Sequence, residues 1–136
     1  FGLLFLRAGI GAMFVYHGYP KMLGGLEGWN GIGMAATNLG APGPSALWGF
    51  MAALSEFGGG ILLGVGFLFR PAAFLLLCTM VVATLFHLRH ADPAVQQHFS
   101  HALESAILFF SLLFIGPGRF SVDGEGSAPA KGPPGD

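Results

Sequence analysis

Three charged side chains lie within long apolar stretches of this sequence: Arg7, Glu56 and Glu104. Glu56 is the most isolated of them, because residues 46–69 hold no other charge. That stretch is long enough to cross a bilayer, and a carboxylate at the centre of a membrane helix costs roughly 2.5–3.5 kcal/mol. Such a residue is rarely kept without a partner or a chemical task, so we treat the three as candidate site residues.

Histidines accompany these charges. If the apolar stretches cross a bilayer in alternating directions, the histidines fall in the same half of the membrane, which the distribution of Lys and Arg assigns as the outer half. They are His17, His87, His90, His98 and His101. Imidazole groups exchange protons near neutral pH and ligate metal ions. Their convergence predicts a polar pocket that opens toward the outer half of the membrane.

Three interpretations of this cluster are open, and the first is a redox pocket for a quinone or a small sulfur compound. Its candidate catalytic residues are Glu56, Glu104, Arg7 and His17. Candidate contacts to the bound molecule are His17, Lys21, Met80, His87 and His101. Carboxylates and histidines suit this chemistry because they can donate and accept protons at the oxygens of a quinone.

The second interpretation is a metal site, and the third is purely structural. His98, His101 and Glu104 begin the last apolar stretch on one helix face, and a histidine and a carboxylate three residues apart can share an ion. In the structural interpretation, buried Arg7 pairs with Glu56 or Glu104, since an unpaired buried charge is strongly destabilising. Two further side chains are then plain packing residues, Met80 in the core and Cys78 as a small buried apolar group.

The composition predicts an integral membrane protein. Asp, Glu, Lys and Arg make up 10% of the 136 residues, against about a quarter in soluble domains. The net charge of −1 gives no indication of nucleic-acid binding. The single cysteine excludes a disulfide or a two-cysteine redox motif within the chain.

We predict an all-α integral membrane fold, an antiparallel four-helix transmembrane bundle over residues 1–119. Its spans cover approximately residues 1–19, 45–69, 72–88 and 98–115. The intervening loop of residues 20–44 is expected to pack against the bundle or to act as a lid, and Arg70-Pro71 to form a tight turn. Residues 120–136, rich in glycine and proline, are expected to be a flexible tail.

Two helix faces are predicted to point toward other helices. The first span carries Arg7, Gly11, Phe14, His17, Gly18 and Lys21 on one face. In the second span, Glu56, Gly60 and Gly64 recur every four residues, which allows two helix backbones to approach closely. We therefore expect Glu56 to lie against a neighbouring helix.

Motifs are spread over every span. They read Arg7-xxx-Gly11-xx-Phe14-xx-His17-Gly18-xx-Lys21, then Glu56-xx-Gly59-Gly60, and finally Gly116-Pro117-Gly118-Arg119-Phe120-Ser121-Val122-Asp123. This pattern resembles the DoxX family of small bacterial four-helix membrane proteins. The resemblance implies a redox context, since the family takes its name from a subunit associated with a thiosulfate:quinone oxidoreductase, and some members look like anchors for thiol-redox assemblies. It marks Arg7, His17, Lys21, Glu56 and Arg70 as positions in the family pattern.

Together these observations predict a multi-pass membrane subunit of a redox system in the bacterial inner membrane, with both termini in the cytoplasm. Expected partners are the lipid bilayer and either further copies of the chain, through its glycine-rich faces, or soluble redox proteins. A quinone is the first candidate cofactor and a metal ion the second. The alternatives are a non-enzymatic anchor or assembly subunit, and a protein that handles a small solute or a metal ion.

Overall fold

The computed structural model describes residues 1–125, and within that range the chain forms helices and no β-strand. In chain order the helices are α1 (Gly2–Leu23), α2 (Gly25–Asn38), α3 (Ser45–Val65), α4 (Phe69–Arg89), α5 (Pro93–Gln96), α6 (Phe99–Ile115) and α7 (Val122–Glu125). The four long helices, α1, α3, α4 and α6, correspond to the four predicted spans.

Three segments of the described residues are long and apolar enough to cross a membrane: Ser45–Val65, Phe69–Arg89 and Pro93–Ile115. The first two are α3 and α4, and the third combines α5 with α6. Helix α1 has 22 residues, which is also sufficient length, but its two cations and its glycines lower its mean hydropathy. The chain is therefore a helical membrane protein, and a fourth span formed by α1 stays a prediction.

Helix α3 occupies the centre of the molecule. It packs against α1, α2 and α4, and α4 packs against α6. Helices α1 and α6 meet through large side chains, since the rings of Phe14 and Phe109 lie edge to face with their centroids 4.9 Å apart. Fully buried residues of the surrounding core include Leu63, Phe69, Leu76 and Leu112.

Glycines set the register between α1 and α3. A Cβ atom on Gly11 would lie 2.6 Å from the carbonyl oxygen of Gly60, and one on Gly18 would meet the backbone of Phe57. Any side chain at these positions would push one backbone away from the other. The prediction of close, glycine-mediated helix packing is confirmed, and these glycine faces are used within one chain rather than between copies.

The first connection contains a helix. Helix α1 continues through Pro20 to Leu23, and α2 starts at Gly25, whose φ of +63° turns the chain. Helix α2 then lies along the first half of α3, with Gly49 against the backbone of Trp29. The predicted end of the first helix before Pro20 is wrong, because the α1 backbone accommodates the missing N–H of this proline within its last turns.

The turn between α3 and α4 comes earlier than predicted. Gly66 and Leu68 have φ values of +72° and +46°, which reverse the chain before Arg70. Pro71 consequently lies in the first turn of α4, where a missing N–H costs no helical hydrogen bond.

The chain after α6 returns to this turn. The Asp123 carboxylate accepts hydrogen bonds from the backbone N–H groups of Leu68 and Phe69, at 3.2 and 2.8 Å, and so caps the start of α4. Part of the predicted tail therefore packs against the bundle, and residues 126–136 of that prediction lie outside the described residues.

Candidate functional site

A cavity of about 420 Å³ lies between α2, α3 and α4. Its size falls in the range of about 300–1,000 Å³ that is typical of small-molecule sites. The walls are mostly apolar, and the polar side chains among them are Lys21, Ser55, Glu56, Thr79 and His87. Met51, Leu75 and Cys78 also line the cavity and are exposed on the outer surfaces of α3 and α4. The cavity thus opens sideways, toward the lipid, and we call it the lateral cavity.

Lys21 and Glu56 form an ion pair at one end of the lateral cavity. The lysine Nζ lies 2.6 Å from one carboxylate oxygen and 2.8 Å from the other. The Glu56 side chain is 5% exposed and the Lys21 side chain 37% exposed. Trp29 on α2 donates a hydrogen bond from Nε1 to the carbonyl oxygen of Lys21 at 3.0 Å, which holds the end of α1 in place. The ion pair therefore satisfies a buried carboxylate near the middle of α3.

Arg7 is not the counter-ion of Glu56. Its fully buried guanidinium donates hydrogen bonds to the carbonyl oxygens of Pro117, at 2.8 Å, and of Phe120. Among the side chains of residues 1–124, the Lys21–Glu56 pair is the single ion pair. The predicted pairing of Arg7 with Glu56 or Glu104 is therefore wrong, and carbonyl groups beyond the C-terminal end of α6 stabilise the charge of Arg7 instead.

A hydroxyl pair lies next to the ion pair. The Thr79 hydroxyl on α4 donates to Ser55 Oγ on α3 at 3.0 Å, so the two helices are linked at this depth. Cys78 precedes Thr79 and is exposed at the cavity opening, which overturns the prediction that it is buried.

His87 also lines the lateral cavity, in the last turn of α4. It is eight residues, or about 12 Å along the helix, from Thr79, which bonds Ser55 beside Glu56. Its Nδ1 atom is buried and has no hydrogen-bond partner among the described residues. The ring of His98 lies beside it, with centroids 6.1 Å apart. The cavity consequently presents a charged pair at one end and an imidazole at the other, with apolar walls between them.

The remaining predicted site residues lie outside the lateral cavity. His17 on α1 and His101 on α6 are exposed, with ring centroids 6.5 Å apart. Met80 is 7% exposed and belongs to the core, which confirms its interpretation as a packing residue. Glu104 is exposed on α6. The structure therefore brings Lys21, Glu56 and His87 to one cavity and separates them from His17, His101 and Glu104.

The metal interpretation gains no geometric support. In the described part of the chain, no three or more histidine, cysteine, aspartate or glutamate side chains are arranged to hold a metal ion. His98, His101 and Glu104 are all exposed along α6.

Sequence reasoning overlooked Ser55, Thr79 and Trp48 as lining residues. Hydroxyl side chains within apolar spans could have been found, because serine and threonine often form hydrogen bonds between membrane helices. The wall that α2 contributes could not have been found, because the sequence of residues 20–44 does not indicate how deep these residues lie in the membrane.

The fold and the cavity define a small helical membrane protein with one buried ion pair in a cavity open to lipid. The DoxX family model matches residues 2–89, which include Lys21, Glu56 and His87. Inner membrane protein YqjF of Escherichia coli (strain K12) is 32% identical over 126 residues, which cover 90% of this chain and 89% of that protein. This chain belongs to the DoxX family. No solved structure matches it.

Proposed function

We propose that this protein is a bacterial inner-membrane subunit of a redox system and that its lateral cavity binds a quinone. The observation that carries the proposal is the Lys21–Glu56 ion pair inside an apolar cavity that opens on the lipid-facing surface. A molecule dissolved in the bilayer can enter such a cavity directly from the lipid. A hydrophilic substrate would first have to leave water and enter the lipid. The inner-membrane location is proposed from the similarity to the inner membrane protein YqjF of E. coli.

The residues of the cavity fit a quinone head group. Its ring needs apolar walls, and its two carbonyl oxygens need hydrogen-bond donors at opposite sides. The Lys21 ammonium supplies a donor at one end, and the His87 imidazole can supply one at the other. Met51, Leu75 and Cys78 border the opening through which an isoprenoid tail would reach the lipid.

The ion pair gives the cavity a route for protons. Reduction of a quinone to a quinol takes up two electrons and two protons, and each of the two quinone oxygens receives one of the protons. The Lys21 ammonium, whose Nζ lies 2.6 Å from a Glu56 carboxylate oxygen, can give one proton to a quinone oxygen bound beside it. The Glu56 carboxylate then takes up a proton from water and passes it to the neutral amine, and the other quinone oxygen receives its proton from water through the His87 imidazole. The electrons come from a soluble redox protein in this proposal. The proposed site gives no quinone contact to four of the predicted site residues: Arg7, His17, His101 and Glu104.

A non-enzymatic anchor or assembly subunit is the second candidate. It is favoured by the completeness of the Lys21–Glu56 pair, in which both carboxylate oxygens already accept a hydrogen bond. In that case the pair only ties α1 to α3, and the cavity holds lipid chains.

Quinone binding can be measured through Trp48, which lines the lateral cavity. In lipid nanodiscs, titration with a short-chain quinone should quench tryptophan fluorescence with saturation, and the Trp48→Phe variant should lose this saturable part of the signal. Ala83→Phe, which fills the cavity, should abolish the saturable quenching. Ala8→Phe on the exposed side of α1 is the matched control and should preserve it. Quenching that rises linearly in all variants would contradict binding in this cavity.

Glu56→Gln separates the two candidate functions. If the pair transfers protons, partner-supported quinone reduction should fall by about 10²–10⁴-fold, the usual size of a general acid–base contribution, while quenching of Trp48 persists. Unchanged quinone reduction by an inserted Glu56→Gln protein would leave the assembly role as the better account.

A further inference from the structure

We infer that the exposed face of α6 around Glu104 is an interface for a second copy of this chain, forming a symmetric dimer. The inference is independent of quinone binding, because this face lies outside the lateral cavity. Glu104 is exposed in the single chain, and none of the basic side chains in residues 1–125 forms an ion pair with it.

Glu104 lies deep along the bundle. His98, at the start of α6, is beside His87 in the last turn of α4. Glu104 is six residues further along α6, which places it about 9 Å deeper, opposite the middle of α4. A carboxyl group that faces hydrocarbon at this depth is costly, and such groups are almost always covered by protein. The described residues of one chain leave it uncovered.

Three other polar residues share this face with Glu104. At 100° per residue, Ser100, His101, Glu104 and Ser111 fall within an arc of about 100° on α6, and all four are exposed. His17 of α1 lies beside His101. Serine allows close approach of membrane helices, and imidazole and carboxyl groups form hydrogen bonds across them. The Ser111 hydroxyl donates to the carbonyl oxygen of Ile107 at 2.9 Å, whereas lipid offers no partner for the imidazole and carboxyl groups of this face.

The pairing of an acid with imidazoles makes this face complementary to itself. Two copies with the same orientation in a membrane can be related by a two-fold axis along the bilayer normal. Residues of equal number then lie at equal depth, so that Glu104 and His101 of opposite copies differ in depth by three residues, about 4.5 Å. Side chains of this length can bridge that offset, and the symmetry makes the contact twice. This reciprocity is the reason to choose a second copy over an unrelated protein.

Cysteine cross-linking tests the interface directly. In a Cys78→Ala background, Ile107→Cys, one turn from Glu104 and 59% exposed, should form a disulfide-linked dimer in native membranes under mild oxidation. Phe74→Cys on α4, which is 55% exposed, is the matched control and should stay monomeric. Equal cross-linking at the two positions, or a cross-link at Ile107 only to a different protein, would overturn the proposal.

Subunit counting in bilayers gives the energetic test. Glu104→Leu should raise the dimer dissociation constant about 10–100-fold, because two hydrogen bonds of the strength found between membrane helices are lost. Glu104→Gln retains an acceptor and should raise it less, and Phe74→Leu should leave it unchanged. Since Glu104 has no ion-pair partner among residues 1–124, these variants should fold normally. A chain that is monomeric at every protein-to-lipid ratio, or a dimer indifferent to Glu104→Leu, would refute the interface.

Discussion

Replacing Lys21 by methionine should destabilise the protein more than replacing Glu56 by glutamine. Methionine keeps most of the alkyl stem but removes the ammonium that lies 2.6 and 2.8 Å from the two Glu56 oxygens. The carboxylate that it leaves behind is 5% exposed. Glutamine instead keeps an oxygen acceptor in the same place, and the Lys21 ammonium, whose side chain is 37% exposed, can reach polar surroundings.

The magnitudes follow from this asymmetry. Removing one partner of a buried ion pair costs about 3–5 kcal/mol, and for Lys21→Met this is an upper value because Glu56 can take up a proton. Glu56→Gln replaces a charge-assisted hydrogen bond by a weaker neutral one, and we expect the free energy of unfolding to fall by about 1–2 kcal/mol. The double variant should lose less than the sum of the two, with a coupling free energy of about 1–3 kcal/mol.

The assay is a double-mutant cycle on the free energy of unfolding, measured by denaturant titration in a single lipid or detergent mixture. The control is Glu27→Gln, which removes an exposed acid at the start of α2 and should change the free energy by less than about 0.5 kcal/mol. Additive single and double variants, or a Lys21→Met effect no larger than that of Glu27→Gln, would refute the view that the pair is buried and coupled.

Two further predictions concern the packing that positions the pair. Gly11→Ala should lower the free energy of unfolding by about 1–3 kcal/mol, because its Cβ would meet the Gly60 carbonyl oxygen. Gly9→Ala, with open space at the Cβ position, should leave the free energy unchanged or raise it by up to about 1 kcal/mol. Equal effects in the same unfolding assay would contradict the register of α1 and α3. Asp123→Ala should cost about 0.5–2 kcal/mol by removing the cap of α4, and Asp123→Asn should restore part of this. An unchanged thermal midpoint for Asp123→Ala would show that the chain after α6 does not cap α4.

The residues that face the interior of the bundle could be predicted from the sequence where polar or small side chains lie along one face of a helix. The buried residues of α1 are Arg7, Gly11, Phe14 and Gly18, all of which belong to the predicted face. This success has a physical basis, because a helical period places such residues on one side, and lipid excludes charge from the other. The three apolar segments long enough to cross a membrane likewise follow from local composition.

The direction of apolar and isolated residues could not be predicted in the same way. A membrane helix is apolar toward lipid and toward its neighbours, so hydropathy does not distinguish the two sides. Cys78, expected in the interior, is exposed at the cavity opening. Glu104, expected in a shared pocket with Glu56, is exposed on α6.

The partner of Glu56 depends on the offset between two helices, which no single helix encodes. Arg7 and Lys21 share a face of α1 but are 14 residues apart, about 21 Å along the axis. The contact of Gly18 with the backbone of Phe57 places Glu56 within one turn of Lys21 and far from Arg7. The polar face of α1 therefore predicts that Glu56 has a basic counter-ion, and the glycine contacts between α1 and α3 determine which of the two it is. It follows that the close approach of α1 and α3 builds the charged end of the lateral cavity, so a substitution that shifts this register should disrupt the ion pair without touching either charge.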